Sequence, residues 1–172
     1  MTGMLVTGGA RSGKSRYALE RALAQSGPRT FIATCQPWDE EMRDRVARHK
    51  AERAAQGWHT VEEQVDPAAA IAAAEPGGAV VLDCLTLWLC NLFERDAAYG
   101  QDQGAADAAG LAQAMQAYSG LAIAVTNEIG LGVVPGDAVS RRYRDTLGRM
   151  NQVLGTALDE VVLVVCGRAL HL

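Results

Sequence analysis

Residues 8 to 15 read Gly8-Gly9-Ala10-Arg11-Ser12-Gly13-Lys14-Ser15 and follow at once on the apolar run Met4-Leu5-Val6. Behind them Tyr17, Leu19, Ala22 and Leu23 keep a helical spacing until Ser26-Gly27-Pro28 ends it. An apolar strand, a glycine turn and a helix in that order constrain the fold strongly, because the helix must pack back along the strand it has just left. The glycines let the backbone curl so that successive N–H groups point inward, and the helix adds the positive end of its dipole. Such a cradle fits the polyphosphate of a nucleotide, with Lys14 reaching the β- and γ-phosphates and Ser15 holding Mg²⁺.

The rest of the chain supplies the matching sheet. Apolar runs at Met4 to Thr7, Thr30 to Thr34, Ala79 to Asp83, Leu121 to Thr126 and Val161 to Cys166 alternate with helical patterns. Their residues are apolar at consecutive positions, as in strands covered on both faces, so a mostly parallel α/β sheet is expected. The patterns predict helices over 14–26, 39–55, 66–75, 85–97, 105–118 and 138–158, and an extra strand over Trp58 to Gln64. The stretch Ala97 to Gly110, rich in Ala, Gly, Asp and Gln, reads as a loop leading into an exposed helix.

The 172 residues suit one domain, 1–172. With 16 Lys+Arg against 20 Asp+Glu the net charge is -4, which argues against a general nucleic-acid surface. No run approaches the ~18 apolar residues of a membrane span. Cys35, Cys84, Cys90 and Cys166 form no C-x-x-C pair and read as buried thiols of a reducing compartment, so a cytoplasmic protein is expected.

In open parallel sheets ligands sit beyond the carboxyl ends of the strands. That rule selects Gly8 to Ser15, Thr34-Cys35-Gln36, Asp83 and Thr126-Asn127-Glu128. Val80-Val81-Leu82-Asp83 has the form of a strand that delivers a carboxylate to Mg²⁺; the alternative is an ordinary N-cap for the helix beginning near Leu85. In the segment 39–55, Met42, Val46 and His49 share one helical stripe, which places His49 on the face that packs on the protein. Arg45 and Arg53 lie four residues either side of it, and Lys50 is adjacent. Neighbouring cations favour a neutral, nucleophilic imidazole and would also bind the phosphates it attacks. Spacing alone favours a basic solvated helix with an incidental histidine. His59 falls in the extra strand and His171 at a frayed C-terminus. Glu62 could accept both the N1–H and the amine of guanine, though an exposed strand glutamate commonly only solubilises. The loop Asn127 to Pro135 reads as a shaped cover, and behind it come Arg141, Arg142, Arg144 and Arg149.

Taken together these motifs resemble the bifunctional adenosylcobinamide kinase/adenosylcobinamide-phosphate guanylyltransferase family of cobalamin nucleotide-loop assembly. The matching stretches are Leu5 to Ser15, Ile32-Ala33-Thr34, His49-Lys50 with Arg53, Trp58-x-Thr60-x-Glu62, Asp83 to Asn91, and Val125 to Gly130 through Arg144-Asp145 to Asn151-Gln152. The resemblance implies a three-layer, RecA-like P-loop NTPase fold, a homotrimer, and two activities. ATP or GTP phosphorylates the aminopropanol hydroxyl of adenosylcobinamide, and GMP from GTP is then joined to that phosphate. It implies that His49 carries GMP covalently and that Lys14 is catalytic. Nucleotide contacts carry over to Gly8 to Ser15, Thr34, Cys35, Gln36, Lys50, Ala51, Glu52, Arg53, Glu62 and Asp83, and Mg²⁺ contacts to Ser15 and Asp83. Family members often have proline where Ala54 stands here. Two other readings remain: a P-loop small-molecule kinase without nucleotidyl transfer, and a non-catalytic nucleotide-binding switch. Against a GTPase switch, Thr126-Asn127-Glu128 occupies the strand end where an N-K-x-D motif would sit.

Overall fold

A computed structural model of the chain describes residues 2–37 and 39–172, without the side chains of residues 41, 42 and 45. The strands are β1 (Thr2–Gly8), β2 (Arg29–Ala33), β3 (Trp58–Glu62), β4 (Ala79–Asp83), β5 (Leu121–Val125), β6 (Glu160–Val165) and β7 (Arg168–His171). The helices are α1 (Lys14–Leu23), α2 (Glu40–Ala55), α3 (Pro67–Ala72), α4 (Leu85–Arg95), α5 (Gln101–Ala117) and α6 (Ala138–Ala157). One sheet runs β3-β2-β4-β5-β1-β6-β7, parallel throughout except for β7, which is antiparallel to β6. This is the mostly parallel α/β sheet the apolar runs predict, with the extra strand at Trp58 in place. None of the described helices is long and apolar enough to cross a membrane.

Strand residues alternate between two cores, and both are apolar. Leu5, Ile32, Val80, Leu82, Ala122 and Ala124 point to one face, where Ile71 of α3, Leu85 and Leu89 of α4, Leu111 and Met115 of α5 and Leu147 and Met150 of α6 cover them. Met4, Val6, Phe31, Val81, Ile123 and Val125 point to the other, where Ala18 and Ala22 of α1 pack against them. Consecutive burial on both sides is why these strands read as continuous apolar runs. The covering is unequal: among the described residues, α1 is the one helix that contributes fully buried residues to the second face.

Two sequence expectations need correction. The stretch after Ala97 is not a loop up to Gly110: α5 begins at Gln101 and buries Gly104, Ala108, Leu111, Ala112 and Met115. Its small residues are an interface, because they let α5 approach α6 closely; a Cβ on Gly104 would lie 2.7 Å from Thr146 Cγ2 and 3.3 Å from Met150 Cγ. His171 does not fray either, since it pairs with Val162 in β7. The turn into β7 is Cys166-Gly167, with φ of 51° and 76°. Positive φ at both central residues suits a tight hairpin, but cysteine there carries none of the usual Asn-Gly or Asp-Gly signal.

The α5/α6 contact makes a direct prediction. Gly104→Val should overpack the crossing and destabilise the fold by roughly 1–3 kcal/mol. A melting temperature equal to the parent's would show that the helices can separate without cost.

Candidate active site

The phosphate loop is held open from three sides. Gly8 closes β1 where a Cβ would meet the Val164 carbonyl oxygen at 2.4 Å, so no larger residue fits. Gly167 N donates to the Ser12 carbonyl at 2.8 Å and Glu128 N to the Gly8 carbonyl at 3.2 Å. The β6–β7 hairpin and the end of β5 thus brace the loop. Gly13 precedes α1 at φ 99° with no side-chain cap, and the first turn contains no acid. The first N–H groups of a helix lack intrahelical partners and draw an anion. Lys14 is buried, and its ammonium donates to the Gly9 carbonyl at 3.1 Å. Ser12 Oγ is buried without a partner among the described residues. These groups satisfy the physical demands of a polyphosphate site.

Parallel register delivers the carboxylate. Asp83 pairs with Val125 and Val125 with Val6, so β4 and β5 end level with Val6, two residues before β1 ends at Gly8 and passes into the phosphate loop. Asp83 hydrogen-bonds Ser15 and lies within the fields of Lys14 and Arg53. Burial pushes its carboxyl above the usual range, while the Ser15 hydrogen bond and the two cations pull it back. The N-cap of α4 is Cys84, not Asp83, which disposes of the capping alternative. A hydroxyl and one carboxylate side by side are hard oxygen donors of the kind that hold Mg²⁺ when water and phosphate oxygens complete the shell. Among the described residues no group of three or more His, Cys, Asp or Glu forms an all-protein cage.

A cavity of ≈ 710 Å³ runs from this point between α1 and α2. Its polar lining includes Ser15, Cys35, His49, Arg53, Gln56 and Asp83, and Leu19, Phe31, Val46 and Leu87 make it partly apolar. The Arg53 guanidinium stacks 3.8 Å above the Phe31 ring. Burial lowers its pKa, and Asp83 and Glu52 oppose that shift. A second cavity of ≈ 710 Å³, lined by Pro28, Arg29, Thr30 and His59, lies at the amino ends of β2 and β3, away from the phosphate loop.

His49 faces the cavity, but it is not packed. Its side chain is 48% exposed because α2 stands off from the sheet with the cavity beneath it. Its Nδ1 lies 3.2 Å from Glu52 Oε2, a carboxylate that the cation-flanked picture of this histidine leaves out. The stripe partners Met42 and Arg45 lie outside the described side chains.

A family model described as cobinamide kinase / cobinamide phosphate guanyltransferase matches residues 4–172. The chain belongs to that family. It is 44% identical over 165 residues to the bifunctional adenosylcobalamin biosynthesis protein CobP of Pseudomonas aeruginosa, covering 95% of this chain and 92% of that one. The bifunctional adenosylcobalamin biosynthesis proteins CobU of Salmonella typhimurium and Escherichia coli are 41% and 38% identical, each match covering 95% of this chain and 96% of the relative. In fold, the chain is similar to the flagellar accessory protein FlaH of Methanocaldococcus jannaschii. The TM-score is 0.51 at 10% identity, over 98% of this chain and 74% of that one, which places the cobinamide kinase family chain in a P-loop NTPase-like fold.

Within this family member the expected contacts divide. Ser15, Cys35, His49, Arg53 and Asp83 converge on the cavity. Thr34 is buried and its hydroxyl is occupied by Cys84, accepting from its N–H and donating to its carbonyl, both at 2.8 Å. Lys50 and Glu62 bind each other at 2.6 Å, and they, Gln36, Ala51 and Glu52 do not line the cavity. The arginines of α6 are taken up locally: Arg141 by Pro135 and Gly136, Arg142 by Ala97, Arg144 by Asp145 and Arg149 by Gln152. The apolar lining from Leu19, Phe31 and Leu87 carried no sequence signal, since each sits in an ordinary amphipathic or core pattern. The thiols also differ from expectation: Cys84 is buried, Cys35 and Cys90 partly so, and Cys166 is exposed at the hairpin turn.

Burial next to Asp83 raises the Cys84 thiol to about 11. At pH 8 an aromatic disulfide should label Cys166 in the native protein and Cys84 only after unfolding; equal native rates for the two would contradict the burial. The raised pKa of Asp83 also has a sign. Its folded form keeps the proton above the ~3.9 of an unfolded chain, so stability falls as pH climbs from there through the folded pKa, and the penalty persists at neutrality. Asp83→Asn should therefore melt higher than the parent near pH 8 without metal. A lower melting temperature would show that the Ser15, Lys14 and Arg53 contacts outweigh burial.

Proposed function

We propose that this chain phosphorylates the aminopropanol hydroxyl of adenosylcobinamide with ATP or GTP, and then transfers GMP from GTP to the new phosphate by way of GMP carried on His49. The observation that carries this reading is the single cavity whose lining includes Ser15 and Asp83 of the phosphate site together with His49 and Arg53 of α2. Family membership supplies the substrate class. By the same family resemblance, we take the enzyme to be a cytoplasmic homotrimer.

In the kinase step the acceptor hydroxyl oxygen bonds to the γ-phosphorus, the bond to the β-bridging oxygen breaks with the electron pair going to the departing diphosphate, and the hydroxyl proton passes to water. Lys14 leaves the Gly9 carbonyl for the β- and γ-phosphates, and the loop from Gly8 to Ser15 holds the chain in line. Ser15 and Asp83 would hold Mg²⁺, which would supply charge neutralisation at the phosphate oxygens. In the transfer step a ring nitrogen of His49 bonds to the α-phosphorus and pyrophosphate leaves. Glu52 engages Nδ1, which leaves Nε2 as the attacking atom. The corrinoid phosphate oxygen then displaces His49 from the α-phosphorus. Arg53 faces the same cavity and offers the α-phosphate a fork of donors. Glu62 serves guanine once it releases Lys50. The phosphoramidate should be labile to acid and stable to base.

GTP labelled at the α- or the γ-phosphate tests this. Retention of α-label on the parent protein, lost in His49→Ala, and γ-label on the corrinoid, lost by at least about 100-fold in kcat in Lys14→Ala, are the expected results. If γ-label moves but α-label never attaches to protein, the chain is a kinase alone. If neither moves, both enzymatic readings fail.

A further inference from the structure

The loop joining β5 to α6 is pinned at both ends and apolar between. At its start Asn127 Nδ2 donates to Thr86 Oγ1 at 2.7 Å, and the Asn127 carbonyl accepts from Asn151 Nδ2 at 3.2 Å. At its end Arg141 donates to the carbonyls of Pro135 and Gly136 at 2.9 and 2.8 Å, while Asp137 accepts from Ser140 N at 2.7 Å. Between these anchors Leu131, Val133 and Val134 stand 83%, 94% and 63% exposed, and Val139 on the first turn of α6 is 58% exposed. Clustered apolar side chains held out in water on an anchored frame mark a contact surface.

We propose that this loop is where the corrin macrocycle of the acceptor docks, an inference that rests on the kinase and guanylyltransferase reading above. Size, position and chemistry choose this occupant. The ≈ 710 Å³ cavity is sized for one small ligand, within the ~300–1,000 Å³ usual for such sites, and the nucleotide takes it. A macrocycle must therefore rest outside the cavity while its hydroxyl arm reaches the phosphates. The loop is placed for that. Glu128 N bonds the Gly8 carbonyl, so the loop starts against the phosphate site. It then runs to α6 on one face of the sheet, whereas the cavity opens between α1 and α2 on the other. Donor and acceptor thus reach the phosphate site from different faces of the sheet. Leu131, Val133 and Val134 offer exposed apolar side chains within four residues of one another to a flat ring system, and the acceptor's amide arms remain free to stay in water.

The test is a variant carrying Leu131→Ser, Val133→Ser and Val134→Ser, compared with the parent by equilibrium dialysis against adenosylcobinamide read from the visible absorbance of the corrin. The corrinoid Kd should rise about tenfold or more while KM for GTP stays within about twofold. Val133→Leu, which keeps the surface apolar, should bind like the parent. A corrinoid Kd within about twofold of the parent in the triple variant overturns the proposal. So does a loss of binding that appears only with dissociation in sedimentation velocity and is recovered at higher protein concentration, because the loop is then a contact between copies. Dialysis needs no phosphoryl transfer. A parent that binds the corrinoid but moves no γ-label leaves the docking result to stand and overturns the kinase reading; a parent that binds none overturns both.

Discussion

The contact on which this structure turns is Asp83 against Ser15, with the charges of Lys14 and Arg53 around it. Four elements meet there, the ends of β4 and α2, the phosphate loop and the first turn of α1. The carboxylate is costly at that depth, as its raised pKa shows, and is tolerated because a hydroxyl and two cations face it. A divalent cation beside Asp83 and Ser15 would supply the counter-charge that offsets the cost of the buried acid.

Unequal covering of the sheet explains where the ligand space lies. One face is sealed by residues of α3, α4, α5 and α6. The other is covered closely by α1, while α2 stands farther out with the cavity beneath it. The exposed His49 is a consequence of that spacing, since a helix that leaves room for a nucleotide cannot also bury the side chain facing it. The opposite face carries the loop from Asn127 to Asp137, so the phosphate loop is approached by different chemistry from each side.

Much of this could be read in the chain beforehand. The apolar runs and the octapeptide identified a parallel sheet with a phosphate site, because backbone curvature at glycines and two-sided burial leave direct traces in residue type. Of the motif from His49 to Glu62, His49 and Arg53 line the cavity, whereas Lys50 and Glu62 pair with each other away from it. Less visible were α5, whose Ala- and Gly-rich start looks like a loop until α6 is laid against Gly104, and β7, whose Cys166-Gly167 turn has an uncommon composition. Cavity lining by Leu19, Phe31 and Leu87 was silent, since a residue that packs on a ligand and one that packs on the core look the same in sequence.

The sequence by itself determined the local chemistry: a cradle at Gly8 to Ser15, a carboxylate at the end of β4, and a histidine among basic residues on a helix. These depend on near neighbours in the chain, whose spacing sets geometry directly. Only the tertiary structure decided which of them meet. Parallel register across β4, β5 and β1 joins Asp83 to Ser15 over a separation of 68 residues in number. The stand-off of α2 turns His49 from a packed residue into a cavity wall, and the pairing of Lys50 with Glu62 removes both from that wall. Such contacts are set by how helices and strands pack at long range, and no local pattern of residues encodes them.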